Sequence, residues 1–479
     1  MNIYDKKNMI INFFWKLGER FLTQGISILV TVILARILSP KEYGIVAICM
    51  ISINFFNIFI DGGLGQALIQ KKQSDSVDFN TVFFFNAVFC CVVYLILYFL
   101  SGSIENIFQV SGVSNVIKIL GIVLIISAIR NVHQVYAVKK MLYKKIFSAA
   151  LSAVIISGCI SIYMAYSNYG IWSLVGQQLS YGLVFSVVMW FIIPWHPHLE
   201  ISFRRLKGLY SYSWKLLASS LIDTIYRQSW QLVVGKKYSI SDLAYYNQGE
   251  KFPALIINNI NNAIDGILFP ALSNYQNNID VVREYTRRAM KTSICIIAPV
   301  QMLLAFSADS VVTIILAEQW LPCVPFFRIF CITYMFTPLH TANLNAIKAL
   351  GRSDIFLKLE IIRKSIAVCI LFLAMPYGRE YLLVGLLIGE VCGQFVNSYP
   401  NKKLLQYSYL QQLLDILPSV IIASLAGFIS YSVNFLCISI YYKLILQYVL
   451  GIVVYIFISY VFKIESFIYI AKKCIGLYK

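Results

Sequence analysis

Apolar runs of about 20 residues recur along this chain, and each is long enough to cross a bilayer as one helix. Fourteen can be counted, centred near Ile26, Ser52, Cys90, Ile125, Ile156, Leu183, Leu221, Ile256, Ile297, Thr337, Val368, Gly389, Ala423 and Val454. The connections between them are short and polar. An all-α polytopic membrane protein is therefore expected. Composition agrees: of 479 residues, 59% are apolar and only 13% charged. A soluble domain could not bury that much apolar surface.

The basic residues fix an expected orientation. With the N-terminus inside, the cytoplasmic segments hold Lys6/Lys7, Lys71/Lys72, Lys139/Lys140, Arg204/Arg205, Arg283/Arg287, Arg352/Arg363, Lys402/Lys403 and Lys472/Lys473, among others. About 25 basic residues then lie inside and about six outside. An even number of helices puts both termini in the cytoplasm. No cleavage site follows the basic N-terminus, so the first helix is expected to stay. The formal charge of +18 fits basic loops at anionic lipid head groups rather than a nucleic-acid partner.

No phosphate loop, soluble catalytic domain or cofactor motif is visible. The run from Asp61 to Gly65 has the glycines but not the Gly-Lys-Ser/Thr of a phosphate loop. The eleven cysteines show no CxxC spacing and lie mostly in apolar runs, where they act as small packing residues. His196 and His198 flank Pro197 in a polar loop, where a metal site is the lesser reading.

The chain also looks doubled. Trp15-Lys16-Leu17 returns as Trp214-Lys215-Leu216, and Leu38-Ser39-Pro40-Lys41-Glu42 as Tyr238-Ser239-Ile240-Ser241-Asp242. Six helices per copy would give both copies the same orientation. The expected plan is two pseudo-symmetric six-helix lobes, residues 1–200 and 201–405, around a central cavity. Two extra helices and a cytoplasmic tail fill residues 406–479.

Charges within the runs point to a site. A charge facing lipid at mid-bilayer costs roughly 3 kcal/mol, so Asp223, Arg227, Glu250, Arg328 and Glu390 must face water or one another. Helix 7 repeats polar residues every four positions, at Lys215, Ser219, Asp223, Arg227 and Gln231. The first helix has Lys16, Arg20, Thr23, Gln24, Ser27 and Thr31; the eighth has Asn247, Glu250, Lys251, Asn258, Asn261, Asn262 and Asp265; the second has Asn54, Asn57 and Asp61. One reading is a hydrated cationic lumen for an anionic head group, with Arg20, Arg130, Arg227, Lys251 and Arg328 as ligands, since guanidinium grips phosphate in pairs of hydrogen bonds. The other is structural pairing, such as Asp223 with Arg227, or basic residues near head groups. Asp223, Glu250 and Glu390 could couple transport to protons or sodium, or simply pair with bases.

The segment LARILSPKEYG at residues 34–44, followed by GLGQALIQKK at 63–72, resembles the polysaccharide-transporter branch of the multidrug/oligosaccharidyl-lipid/polysaccharide flippase superfamily, the Wzx-type flippases. That resemblance implies a two-lobe fold and translocation of an undecaprenyl-diphosphate-linked oligosaccharide across the bacterial cytoplasmic membrane. Its partners would be that lipid, the surrounding bilayer and a polymerase or other assembly protein. It also implies that the last two helices accommodate the prenyl tail. The Ser39–Tyr43 turn reads as architecture: Ser and Pro end one helix and begin the next, and Glu42 suits a helix start. A cation-coupled drug exporter of the same superfamily would favour twelve helices and carboxylates. A membrane-bound polymerase or ligase would need a long external loop, and none exceeds about 20 residues.

Overall fold

The computed structural model describes residues 3–61, 63–71, 74–474 and 476. Gly62, Lys72 and Lys479, and the side chains of Lys6, Lys7 and Asp61, lie outside the described residues. Among the described residues there are helices and no strands. The chain divides into two compact units, Met1–Ala244 and Tyr245–Lys479.

The first unit contains α1 (Ile3–Ile37), α2 (Pro40–Asp61), α3 (Leu64–Gln70), α4 (Ser76–Phe108), α5 (Val113–Leu120), α6 (Ile122–Lys139), α7 (Tyr143–Tyr166), α8 (Trp172–Ile192) and α9 (Phe203–Lys237). Here α7 packs on α8 and α1, α6 on α4 and α8, and α9 on α2, α3 and α4. Small residues allow the close seams: Ala149, Ala150 and Ala153 of α7 are buried beside Phe185 and Met189 of α8.

α10 (Ile240–Asn274) leads into the second unit. There follow α11 (Ile279–Phe306), α12 (Ala308–Leu316), α13 (Val324–Met335), α14 (Thr337–Ala349), α15 (Ser353–Ala374), α16 (Arg379–Ser398), the single turn α17 (Asn401–Leu404), α18 (Tyr409–Tyr431), α19 (Ile440–Val461) and α20 (Glu465–Cys474). Its centre is α11, which packs on α13, α14, α18 and α19. Two glycines bring the last long pair close. A Cβ on Gly427 of α18 would lie 2.4 Å from the Phe306 ring, and one on Gly451 of α19 would lie 2.1 Å from a Leu303 methyl. The opposite face of α18 presents Leu410, Leu414, Leu417, Ile421, Leu425 and Phe428 outward, a stripe at helical spacing suited to lipid.

All fourteen expected centres fall within helices. Eleven stretches among the described residues are long and apolar enough to cross a membrane. The remaining three centres lie on α9, α10 and α15, whose hydropathy is lowered by charges and, on α10, chiefly by asparagines. Two expected single helices are broken: Val113–Lys139 turns at Gly121 between α5 and α6, and α13 passes to α14 at Phe336.

The internal repeat has a backbone counterpart. α1 and α9 are both 35 residues long, and their ends, Ile3–Ile37 and Phe203–Lys237, are offset by 200. Each is followed by a serine that meets an acidic residue three positions on. Ser39 donates to Glu42 from its backbone N–H (2.7 Å) and its hydroxyl (2.9 Å). Ser239 accepts from the Asp242 N–H (2.9 Å) and donates to its carboxylate (2.6 Å). These bonds cap the starts of α2 and α10. Gly44, two residues after Glu42, lets α2 close on the start of α10: a Cβ there would lie 2.1 Å from the Ile240 carbonyl oxygen. Thus α9 opens the second repeat in sequence yet packs within the first compact unit.

Candidate functional site

On α1, Lys16 lies 5.7 Å from the Tyr143 ring, and Trp15 packs 5.4 Å from Phe147, so this end of α1 docks on the start of α7. The hydroxyls of Thr23 and Thr31 turn back to their own helix, onto the carbonyls of Glu19 and Ser27. That uses part of the α1 stripe internally. Arg20 remains half-buried one turn away.

Arg130 of α6 is also half-buried. Its guanidinium lies 5.4 Å from the Phe185 ring of α8, and its buried Nε has no hydrogen-bond partner in the structure. One turn before Phe185, the Tyr181 ring lies 6.1 Å from that of Phe185. Arg130 and Tyr181 therefore share the Phe185 ring as a neighbour. Tyr181 does not stand out in the sequence, where it is an ordinary aromatic in an apolar run. Nearby, His133 has its Nδ1 3.0 Å from the Ile129 carbonyl, and its Nε2 is buried without a partner among Phe83, Trp190 and Trp195. His196 pairs with the Trp190 carbonyl at 3.2 Å.

On α9, Arg227 donates from Nε to Asp223 at 2.9 Å, the i,i+4 pair weighed from the sequence. The pair is not enclosed: the Arg227 side chain is 75% exposed and that of Asp223 41%. The start of α9 is held differently. Arg205 reaches Asp75 and Asp78, and Lys71 also meets Asp78, whose side chain is fully buried. Lys139 gathers the carbonyls of Leu68 and Lys71 at the end of α3 together with the Ser74 hydroxyl. The Arg205 hydrogen bond holds the Asp75 carboxyl below the usual carboxylate range.

In the second unit the α10 stripe is largely a seam. Glu250 accepts from the Tyr334 hydroxyl (2.5 Å), Asn261 from Thr341 (2.8 Å) and Asp265 from Asn345 (2.8 Å). One polar face of α10 is thereby matched to α13 and α14. Lys251 is half-buried beside Glu250. Arg328 pairs with Asp309 in the first turn of α12 and donates from Nε to the Ala305 carbonyl at 3.2 Å, stitching the break between α11 and α12. Glu390 on α16 meets His340 Nε2 at 2.7 Å and Gln394 at 3.5 Å. Asn397 Nδ2 lies 2.8 Å from His340 Nδ1, on the other side of the imidazole from Glu390. Close by on α15, Glu360 takes Arg363 (3.1 Å) and Lys364 (3.2 Å).

The candidate residues thus divide by unit. Arg20, Arg130, Asp223 and Arg227 belong to the first; Glu250, Lys251, Arg328 and Glu390 belong to the second. Among the described residues no group of His, Cys, Asp or Glu is arranged to hold a metal. The partners Asp309, Tyr334 and His340 escaped sequence reasoning because each lies on a different helix from the charge it meets.

Residues 33–325, more than half of the chain, match the family described as polysaccharide biosynthesis protein. The succinoglycan biosynthesis transport protein ExoT of Rhizobium meliloti (strain 1021) is 21% identical over 314 residues, 66% of this chain. The chain spans just under two thirds, 64%, of ExoT's length. The lipopolysaccharide biosynthesis protein WzxC of Escherichia coli (strain K12) is 19% identical over 433 residues, 87% of each chain. Among solved structures, the lipid II flippase MurJ in an inward closed conformation shares the fold, with a TM-score of 0.76 over 95% of this chain and 98% of that one, at 15% identity. With a family match over residues 33–325, more than half of its length, the chain belongs to the polysaccharide biosynthesis protein family.

Proposed function

We propose that this protein carries undecaprenyl-diphosphate-linked oligosaccharide repeat units from the inner to the outer leaflet of the bacterial cytoplasmic membrane, by alternating access, for O-antigen, capsule or exopolysaccharide assembly. The observation that carries the reading is Arg130, in a segment covered by the family match, whose buried Nε lacks a hydrogen-bond partner. A buried donor left unmade costs about 1–3 kcal/mol. A diphosphate oxygen would satisfy it and gain a charge-assisted bond.

Flipping makes and breaks no covalent bond, so the chain's task is to shelter a polar head while the prenyl tail stays in lipid. Arg20, Arg130, Arg227, Lys251 and Arg328 are the proposed cations for the diphosphate. Arg227 keeps 75% of its side chain exposed while it pairs with Asp223, and Arg328 holds Asp309. Asp223, Glu250 and Glu390 are the proposed coupling carboxylates. The reading includes fourteen spans, both termini in the cytoplasm, and lobes of six and six helices, residues 1–200 and 201–405, with two more helices in 406–479. A polymerase that consumes the delivered unit is its expected partner.

The test is a deletion strain in which the leaflet holding the lipid-linked unit is measured. Accumulation on the cytoplasmic side, relieved by restoring this chain, is the expected result. Normal outer-leaflet delivery in its absence would assign the protein to a step after translocation.

A further inference from the structure

A cavity of about 750 Å³ lies on the second unit, where the first turns of α11 face α20. Its wall holds Arg283, Arg287, Arg288, Lys291, Lys463 and Lys472, against three acidic residues. None of these belongs to the proposed transport site.

Part of this charge is frame. Arg287 grips both oxygens of Asp415 at 2.6 Å, and Tyr407 donates to the same carboxylate at 2.7 Å. Lys291 bonds Glu465 and lies 3.7 Å from Asp415. These contacts tie α20 and the start of α18 to α11, while Phe467 and Ile470 seat α20 on the apolar core. Tyr469 supports the wall, its ring 4.9 Å from the Arg288 guanidinium.

The charge of Arg283, Arg288 and Lys463 is held less firmly. Arg283 and Arg288 form ion pairs with exposed carboxylates of their own helix, Asp280 at 2.8 Å and Glu284 at 3.4 Å, and such pairs hold weakly in water. Lys463 makes no ion pair among the described residues. It sits just after α19 with φ of +50°, which turns the chain sharply into α20. The cavity therefore opens where spanning helices end, at head-group depth, with more positive than negative charge and an aromatic wall.

We propose that this cleft binds the phosphate of an anionic lipid head group, held by Arg283, Arg288 and Lys463, with Lys472 on the α20 side. The inference goes beyond the transport reading and stands without it. Two lipids carry that chemistry: an anionic phospholipid of the bilayer and a diphosphate-bearing prenyl carrier.

The test uses the full chain, delipidated in detergent and titrated with short-chain phosphatidylglycerol or phosphatidylcholine, with bound lipid read by native mass spectrometry. Phosphatidylglycerol should be retained preferentially, and the Arg283→Ala/Lys463→Ala double variant should lose about fivefold in affinity for each charge removed. Its thermal midpoint should stay unchanged. Competition by inorganic pyrophosphate assigns the cleft to a diphosphate carrier; lipid that stays bound assigns it to bilayer phospholipid. Equal retention of both head groups by the wild type, or undiminished binding by the double variant, overturns the proposal. Should the double variant not fold, Lys463→Glu replaces it, with the same loss expected and the same undiminished binding counting against the cleft.

Discussion

The helix pairs α1–α2 and α9–α10 are the same frame carrying different chemistry. Their first helices share a length of 35 residues, and their turns share a serine–acid cap 200 residues apart. Yet Phe14–Ile37 is apolar enough to span a membrane, whereas α9 carries Lys215, Asp223 and Arg227 along its length. Helix length, a two-residue turn and a cap fix the backbone. Side chains away from the turn are then free to diverge. The chemistry of this protein is most visible where the two copies differ.

The sharpest way to break the frame is Gly44→Leu. The Ile240 carbonyl is backbone and cannot move aside, so the added side chain should cost about 3 kcal/mol or more. A large drop in thermal midpoint and in membrane level is expected. The second copy has Ala244 at the equivalent position, already buried with its Cβ in place. Ala244→Gly should cost only about 1 kcal/mol. Equal effects would mean that the two turns are not the same structure.

Next comes the chemistry of the second copy. Arg227→Ala should lower surface polysaccharide about tenfold, equivalent to roughly 1.4 kcal/mol, at normal membrane levels. An exposed pair adds under about 1 kcal/mol to folding, so the midpoint should barely move. Unimpaired polysaccharide would remove Arg227 from the site.

The caps offer a finer comparison. Ser39→Ala removes the hydroxyl bond to Glu42 and should lower unfolding free energy by about 1 kcal/mol. Ser239→Ala should cost less, because its bonds with Asp242 are solvent-exposed. A reversed order in thermal melts would show that the first turn is held by something other than its cap.

The smallest effect concerns the start of α9. Because Arg205 lowers the Asp75 pKa in the folded state, the pair stabilises at and above the ordinary carboxylate value, about 4. That contribution should fade as pH drops through the lower folded value, by about 0.5 kcal/mol for a pair this exposed. Asp75→Asn should flatten that part of the acid profile. An identical profile in the variant would show that Asp75 does not carry it.

Helix positions and the doubled turn were legible in the sequence because both depend on local spacing: apolar runs of bilayer length, and Ser-x-x-acid after each long helix. The partners of buried charges were not. Lys139 meets the end of α3 from about 70 residues away, Arg205 meets Asp75 from 130, and His340 meets Glu390 from 50. No periodicity within one helix records such meetings. The α10 stripe illustrates the ambiguity, since spacing showed one polar face but not that Tyr334, Thr341 and Asn345 would cover much of it. The breaks at Gly121 and Phe336 were equally hidden, because each lies within a continuous apolar run.

The glycine seams at Gly427 and Gly451 make the final helix pair a poor candidate for a detachable module. Phe306 and Leu303 of α11 occupy the space that those two glycines leave open. Cutting the chain before α18 would strip one side of its unit's central helix and leave large apolar side chains facing grooves that no longer exist. The pair and α11 pack as one block, so a shortened version would have to be redesigned along α11 rather than simply trimmed.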